Sequence, residues 1–360
     1  MSIASKYKGL SKYARTNIKT YGLVIALFAI LFPLQNAGMI SNSISGQLIP
    51  ICAYIVMAIS LNLTVGVLGE LSLGHAGFMS VGAFAGVIAS QSLIDTIPSA
   101  GVRLAIAMIV GAVFATIAGF IVGAPVLRLQ GDYLAIVTLA FGEIIKELVT
   151  CLIVGHDENG LHILFNLTGN KTIDDLHLTE TGTAIIKGAQ GTANVKTIAS
   201  FTAGFILVML TLVIVLNLKH SRAGRAIMAM RDNRIATESI GINVTKYKLM
   251  AFVTSAALAG AAGALYGLNF SSMQATKFDF NTSILVLVFV VLGGLGNIWG
   301  SIIAAVVLYI LPEALRSVAD LRMLVYAIVL ILVMLATNSP KVKAVLNKVL
   351  PHRKGESDNG

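Results

Sequence analysis

From Leu71 to Ser90 the chain reads LSLGHAGFMSVGAFAGVIAS, with no Asp, Glu, Lys or Arg among its twenty residues. A run of about 17 to 25 apolar residues matches the hydrocarbon thickness of a bilayer. Within it, small residues recur every three or four positions, through Gly74, Gly77, Ser80, Ala83 and Gly86. Lipid supplies no hydrophobic drive between helices, so close backbone approach through small side chains provides the dispersion contacts instead. The stretch reads as a helix packed centrally in a membrane bundle.

Nine other runs of the same character surround it. They lie near Tyr21 to Ile40, Leu48 to Leu68, Val102 to Ala124, Asp132 to Val154, Ile198 to Leu218, Leu249 to Phe270, Thr282 to Leu295, Ile298 to Leu311 and Met323 to Thr337. The eighth and ninth spans are short for a full crossing, and are either short spans or a re-entrant pair. Composition agrees: 56% of the 360 residues are hydrophobic and 12% charged, and mean hydropathy is +0.84. A soluble domain carries about twice that share of charge. The fold class expected is an all-α polytopic membrane protein of about ten transmembrane helices.

Charge in the connections orients the spans, because Lys and Arg near membrane segments stay on the cytoplasmic side. Residues 1–20 carry Lys6, Lys8, Lys12, Arg15 and Lys19 without an acid, and residues 339–360 carry Lys341, Lys343, Lys348, Arg353 and Lys354. The loop from Lys219 to Lys248 has seven Lys or Arg against Asp232 and Glu238. All three are expected in the cytoplasm. The segment 155–197 has five acids against Lys171, Lys187 and Lys196, and reads as external. Five spans, then one, then four separate these segments, which is the parity their charges require. The transmembrane domain is thus 21–338, with the coupling loop at 219–248. A basic stretch precedes Leu23 to Leu34, as in a signal peptide, but it is long and no small-x-small site follows, so a retained first span is expected.

The net charge of +9 is explained by this orientation and by contact with anionic membrane lipid. No nucleic-acid partner is expected, since that would need a basic face on a soluble module. No Gly-Lys dipeptide occurs, so there is no phosphate-cradling P-loop, and HExxH, CxxC and GxSxG are also absent. Catalytic, metal and cofactor sites are not expected in this chain. Cys52 and Cys151 lie in apolar runs without a Cys or His at ligand spacing, and read as small buried side chains, although a bridge between them is not geometrically excluded.

Charges inside spans persist where they are used or paired. Away from the span ends they are Glu143, Lys146 and Glu147 in the fifth span, with His75 in the third. Glu143 and Lys146 stand i, i+3, so they form either a self-compensated pair or an ion-coupling site. Ser255 to Ala264, SAALAGAAGA, repeats the small-residue pattern in the seventh span. Gly293 to Gly300, GGLGNIWG, marks a tight turn or broken helix between two short spans, or an interfacial Trp anchor. In the basic loop, SRAGRAIMAMRDNRIATESIGINVTKYK from Ser221 to Lys248 predicts one or two short amphipathic helices. Such helices either lie on lipid or dock a cytoplasmic partner. A transporter with neither nucleotide motif nor obvious ion site needs an external motor, which favours docking.

Several of these stretches resemble one family. Leu71 to Phe78, Arg128 to Ile145 (RLQGDYLAIVTLAFGEII), Ser221 to Lys248 and Gly293 to Gly300 are similar to the permease subunits of ATP-binding-cassette importers for branched-chain amino acids, of the LivM type. The resemblance covers about Leu48 to Leu311 and implies an inverted repeat of spans two to five and seven to ten. It also implies a second related permease subunit, two ATP-binding subunits that hold ATP and Mg, an external solute-binding protein and a bacterial inner membrane. Candidates for the translocation path are His75, Thr138, Phe141 and Glu143, which can equally serve as interhelical hydrogen-bond partners. Candidates for ATPase coupling are Arg231, Asp232, Arg234, Ala236, Glu238 and Gly241. Ala236 to Gly241 keeps the small residues and glycine of an EAA-type loop without its full acidic opening. Related permeases carry urea or short amides, and more distant ones pentoses, so leucine, isoleucine and valine are the expected but not the exclusive cargo. The rival classes are an autonomous secondary transporter or channel and a membrane scaffold that moves nothing. The segment 155–197 either contacts the binding protein or is a solvated linker.

Overall fold

The computed structural model describes residues 12–37, 42–128, 132–158, 160–166, 171–179, 182–314, 327, 328 and 331. Residues 1–11 of the basic N-terminal tail, the C-terminal tail at 339–360 and most of the tenth apolar run lie outside them. The chain divides into two compact units, Met1–Ala305 and Val306–Gly360.

In chain order the helices are α1 (Lys12–Asn36), α2 (Asn42–Asn62), α3 (His75–Ser92), α4 (Ala100–Val126), α5 (Asp132–Thr150), α6 (Phe201–His220), α7 (Arg222–Asp232), α8 (Arg234–Ser239), α9 (Val244–Gly267), α10 (Phe280–Gly293) and α11 (Ile298–Ala314). A π-helical segment, Leu63–Leu68, prolongs α2. Among the described residues, four helices are long and apolar enough to cross a membrane: Ile44–Leu68, Ala100–Val126, Phe201–His220 and Val244–Gly267.

The small-residue stretches build the centre. α3, α4 and α9 meet where a Cβ on Gly82 would overlap the Gly260 backbone, and one on Gly260 would overlap Ala115 and the Gly111 carbonyl. Only glycine lets the three backbones approach this closely, and the approach supplies the contacts that lipid does not drive. Between 251 and 267 no residue of α9 is exposed, and every residue from Ile51 to Leu68 is buried. Phe78 and Phe252 pack edge to face at 5.5 Å across α3 and α9. By contrast α4 turns Ile109, Val113, Phe114, Ile117, Phe120 and Ile121 outward, an apolar stripe suited to lipid.

The polar segment between α5 and α6 is more ordered than its composition suggests. It carries a three-stranded antiparallel sheet of order β2-β1-β3, formed by β1 (Leu152–Asp157), β2 (Gly160–Phe165) and β3 (Thr183–Lys187). β1 starts inside the apolar run assigned to the fifth span, so α5 ends at Thr150. The reason is local: Leu152, Ile153 and Val154 are strand formers at the end of the helix, and they pair with Phe165, Leu164 and Ile163. Backbone pairing of Thr192 with Met273 ties the sheet to the segment after α9. The bundle therefore has a sheet end and, opposite it, an end capped by the basic loop.

Candidate functional site

Between Leu68 and His75 the chain is not helical, and while Gly69 and Leu71 are exposed, Ser72 and Gly74 are buried in the bundle. Irregular backbone at that depth needs partners from protein. Thr138 on α5 accepts a hydrogen bond from the Leu73 amide at 3.1 Å and donates its own proton to Ala135 O at 2.9 Å. Ser283 on α10 accepts the Ala76 amide at 3.1 Å. One orphan donor of the first turn of α3, Ala76 N–H, and the Leu73 amide just before its cap are thus satisfied by neighbouring helices.

His75 is 1% exposed and sits between α2 and α9. Its Nε2 lies 2.9 Å from Ser60 Oγ and 3.5 Å from Ser255 Oγ. Ser60 Oγ donates to Met57 O, and Ser255 Oγ donates to Ser60 O. With both hydroxyl protons directed at carbonyls, the arrangement suits an imidazole that carries its proton on Nε2 and donates it. His75 Nδ1 has no partner among the described residues.

Nearer the sheet end, Glu143 pairs with Lys146 one turn along α5, and its other oxygen accepts the Phe280 amide at 3.2 Å. Phe141 is half-buried beside it. Asp279 caps α10 by accepting from Thr282 N–H at 2.9 Å. Partial burial opposes ionisation of Asp279, but hydrogen bonds from Thr282 and Asn281 and the Lys146 charge outweigh it and hold the carboxyl below the usual aspartate range. A narrow crevice lined by Leu73, Gly77, Gly142, Glu143, Asp279 and Ser283 separates α3, α5 and α10. Thr138 and Glu143 therefore hold helices together, while His75 is sealed behind Ser60 and Ser255.

At the opposite end, α7 and α8 are the two short helices expected in the loop. Ser221 caps α7 and Asn233 caps α8. The coupling candidates separate into two groups. Arg231 turns inward: its Nη1 donates to Gly66 O at 2.9 Å, and it also holds Asp232 at 3.1 Å. Arg234 and Glu238 pair along the outside of α8 at 3.0 Å, and Ala236 is exposed between them. Ile235 and Ile240 are 78% and 73% exposed, and Gly241 reverses the chain with φ of 83°.

A family model described as the permease component of the branched-chain amino acid transport system matches residues 43–334. The chain belongs to that family. Among its relatives, the high-affinity branched-chain amino acid transport permease LivM of Escherichia coli K12 is 33% identical over 289 residues, covering 78% of this chain and 66% of that protein. LivM of Methanocaldococcus jannaschii is 27% identical over 295 residues, covering 74% of this chain and 79% of the relative. The ribose import permease RbsC of Haemophilus influenzae is 32% identical over 129 residues, 34% of this chain and 40% of that permease. The chain thus spans about two thirds of the length of the enteric relative. No solved structure matches it.

In this member of the family several contacts have no motif to announce them. Asn62, fully buried, accepts from Gly296 N–H at 2.9 Å and donates to Ser301 Oγ at 2.6 Å. Lys248 pairs with Glu70. A polar residue within an apolar run was the available signal, since intramembrane amides and hydroxyls bond across helices. Cys52 and Cys151 are both free thiols. Among the described residues no cluster could hold a metal ion. At the sheet end a cleft of about 980 Å³ opens between Asp95 and the sheet, lined also by His156, Lys187 and Lys196.

Proposed function

We propose that this permease forms the translocation path of an ATP-driven importer for leucine, isoleucine and valine. It would span the bacterial inner membrane ten times, with an inverted repeat of spans two to five and seven to ten and both termini in the cytoplasm. A second related permease would complete the path, two ATP-binding subunits would supply the work, and an external binding protein would deliver the solute at the sheet end. ATP and Mg would be held by those partner subunits.

The observation that carries this reading is the surface of α8. Ile235 stands exposed on this short helix and Ile240 just past its end, framed by the Arg234–Glu238 pair and outside any apolar stripe suited to lipid. Exposed apolar anchors with a charged frame fit a groove in another protein. The cargo reading is supported by the longer matches, which carry branched-chain names, against a third of the chain for the ribose permease.

The test is reconstitution in liposomes with the ATP-binding subunits of the same transporter. Labelled leucine uptake should require ATP and both ATPase copies, and Ile235→Asp with Ile240→Asp should release the ATPase subunits. Uptake driven by an ion gradient with no ATPase present would make the chain an autonomous transporter instead.

A further inference from the structure

We propose that Arg231 is a positioning residue that carries movement of the basic loop into the π-helical end of α2, and so sets how much solute moves per ATP hydrolysed. The proposal rests on the reading of the loop as the docking site of a motor.

The loop grips the bundle through three cationic side chains, and all three reach two short segments of the bundle. At its beginning Lys219 Nζ donates to Gly296 O at 3.0 Å. At its middle Arg231 donates to Gly66 O at 2.9 Å. At its end Lys248 pairs with Glu70, just beyond the π-helical segment. Gly66 O is one of the last four carbonyls of that segment, the groups a helix leaves without internal partners, and a cation there also complements the helix dipole. The glycines make the contact possible. A Cβ on Gly69 would lie 2.5 Å from Arg231 Cγ, and one on Gly66 would overlap Asn62 Oδ1 and the Gly296 amide.

Behind this contact, Asn62 binds Gly296 N–H and Ser301 Oγ, so the end of α2 and the turn between α10 and α11 are clasped together. Gly296 holds φ of 77°, a conformation that suits glycine. A displacement of α7 therefore reaches both segments through bonded atoms. For the movement to pass, the π-helical segment would have to take a second arrangement. Its wide turn would become an ordinary α-turn if each bond moved by one residue, and Gly66 O would swing away from Arg231. Coupling between sites requires such a two-state element, and this one lies between the loop and the helix ends.

The experiment compares Arg231→Gln, Arg231→Lys and wild type in the full complex. Three quantities are read: retention of the ATPase subunits, leucine uptake, and ATP hydrolysed. Arg231→Gln should retain the ATPase subunits within twofold of wild type while uptake per ATP falls at least fivefold. Arg231→Lys, which keeps one cationic donor, should recover at least half of the loss. Uptake per ATP within twofold of wild type in Arg231→Gln overturns the proposal, as does loss of the ATPase subunits in parallel with uptake, which would make Arg231 a docking residue. If Arg231→Gln does not fold, hydrogen exchange on the wild-type complex decides. Protection at 63–70 and 294–297 should change together when nucleotide is trapped, and no change overturns the linkage. Failure of the underlying reading is distinct, because then the wild-type chain itself would not retain ATPase subunits.

Discussion

The carboxylate of Glu143 on α5 holds the Phe280 amide at 3.2 Å and, through its other oxygen, the ammonium of Lys146. One side chain thereby ties the start of α10 to α5. Glu143→Ala leaves Lys146 with Glu147 at 3.6 Å and should cost about 1–2 kcal/mol, the lower part of the charged hydrogen-bond range because the pair is partly exposed. Thermal unfolding in detergent measures it. Glu143→Gln keeps an acceptor for the amide and should lose less than half as much, with uptake retained. Abolished uptake at unchanged stability in Glu143→Gln would place the carboxylate on solute or proton instead.

The two serines beside His75 direct their own protons at carbonyls, which favours the Nε2–H tautomer. His75→Ala removes a buried ring and its hydrogen bond, for a loss of about 2–4 kcal/mol. Ser60→Ala should cost about 1 kcal/mol, since Ser255 remains at 3.5 Å. Nitrogen-15 chemical shifts of labelled histidine should report a bare Nδ1. A protonated Nδ1 would contradict the assignment.

The meeting of α3, α4 and α9 at Gly82, Gly260 and Gly111 leaves no room for a side chain. Gly260→Val should abolish the monodisperse peak in size-exclusion chromatography, because backbone as well as side chains would have to move. Overpacking of an ordinary core already costs about 1–3 kcal/mol. Ala257→Val, at a half-buried position of the same helix, should elute normally. Equal behaviour of the two would refute the close approach.

Asp279 gives a pH-dependent contribution of known sign. Its folded carboxyl titrates below the usual range, so the stabilisation is complete above the unfolded value of about 3.9. It fades as pH falls through the lower folded value. Asp279→Asn keeps a capping oxygen but removes the charge. The wild-type advantage in melting temperature at pH 7 should shrink below about pH 4, and a gap unchanged down to pH 3 would dismiss the charge as its source.

The helical architecture was legible in sequence where one signal dominated. The small-residue stretches at 74–86 and 255–264 belong to the centrally packed α3 and α9, and the charged loop forms two short capped helices. Where two signals overlapped, the stronger hid the weaker. Leu152 to Val154 read as the tail of an apolar span because strand and helix ends look alike over three residues. The alternation of β2 is short and sits among charges. The π-helical segment has no local signature, since it depends on Gly66 meeting Gly296, a contact 230 positions apart. In the site, Glu143 and Lys146 stood out as charges, and their pairing follows from spacing. Thr138 was open between solute path and helix partner, and its bond to the Leu73 amide gives it structural work. Ser60, Ser255 and Ser283 were invisible, because a serine in a membrane run carries no mark of what it will bond.

The crowding around α9 bears on how the protein is made. Its best 18-residue window has a mean hydropathy of 1.6, against 2.5 for α4, whose flank is rich in Ile, Val and Phe. Alanine and glycine gain little on leaving the insertion machinery for acyl chains. α4 can partition by itself, whereas α9 profits from finding α3 and α4 already in place, so biogenesis would follow the order in which the chain is synthesised.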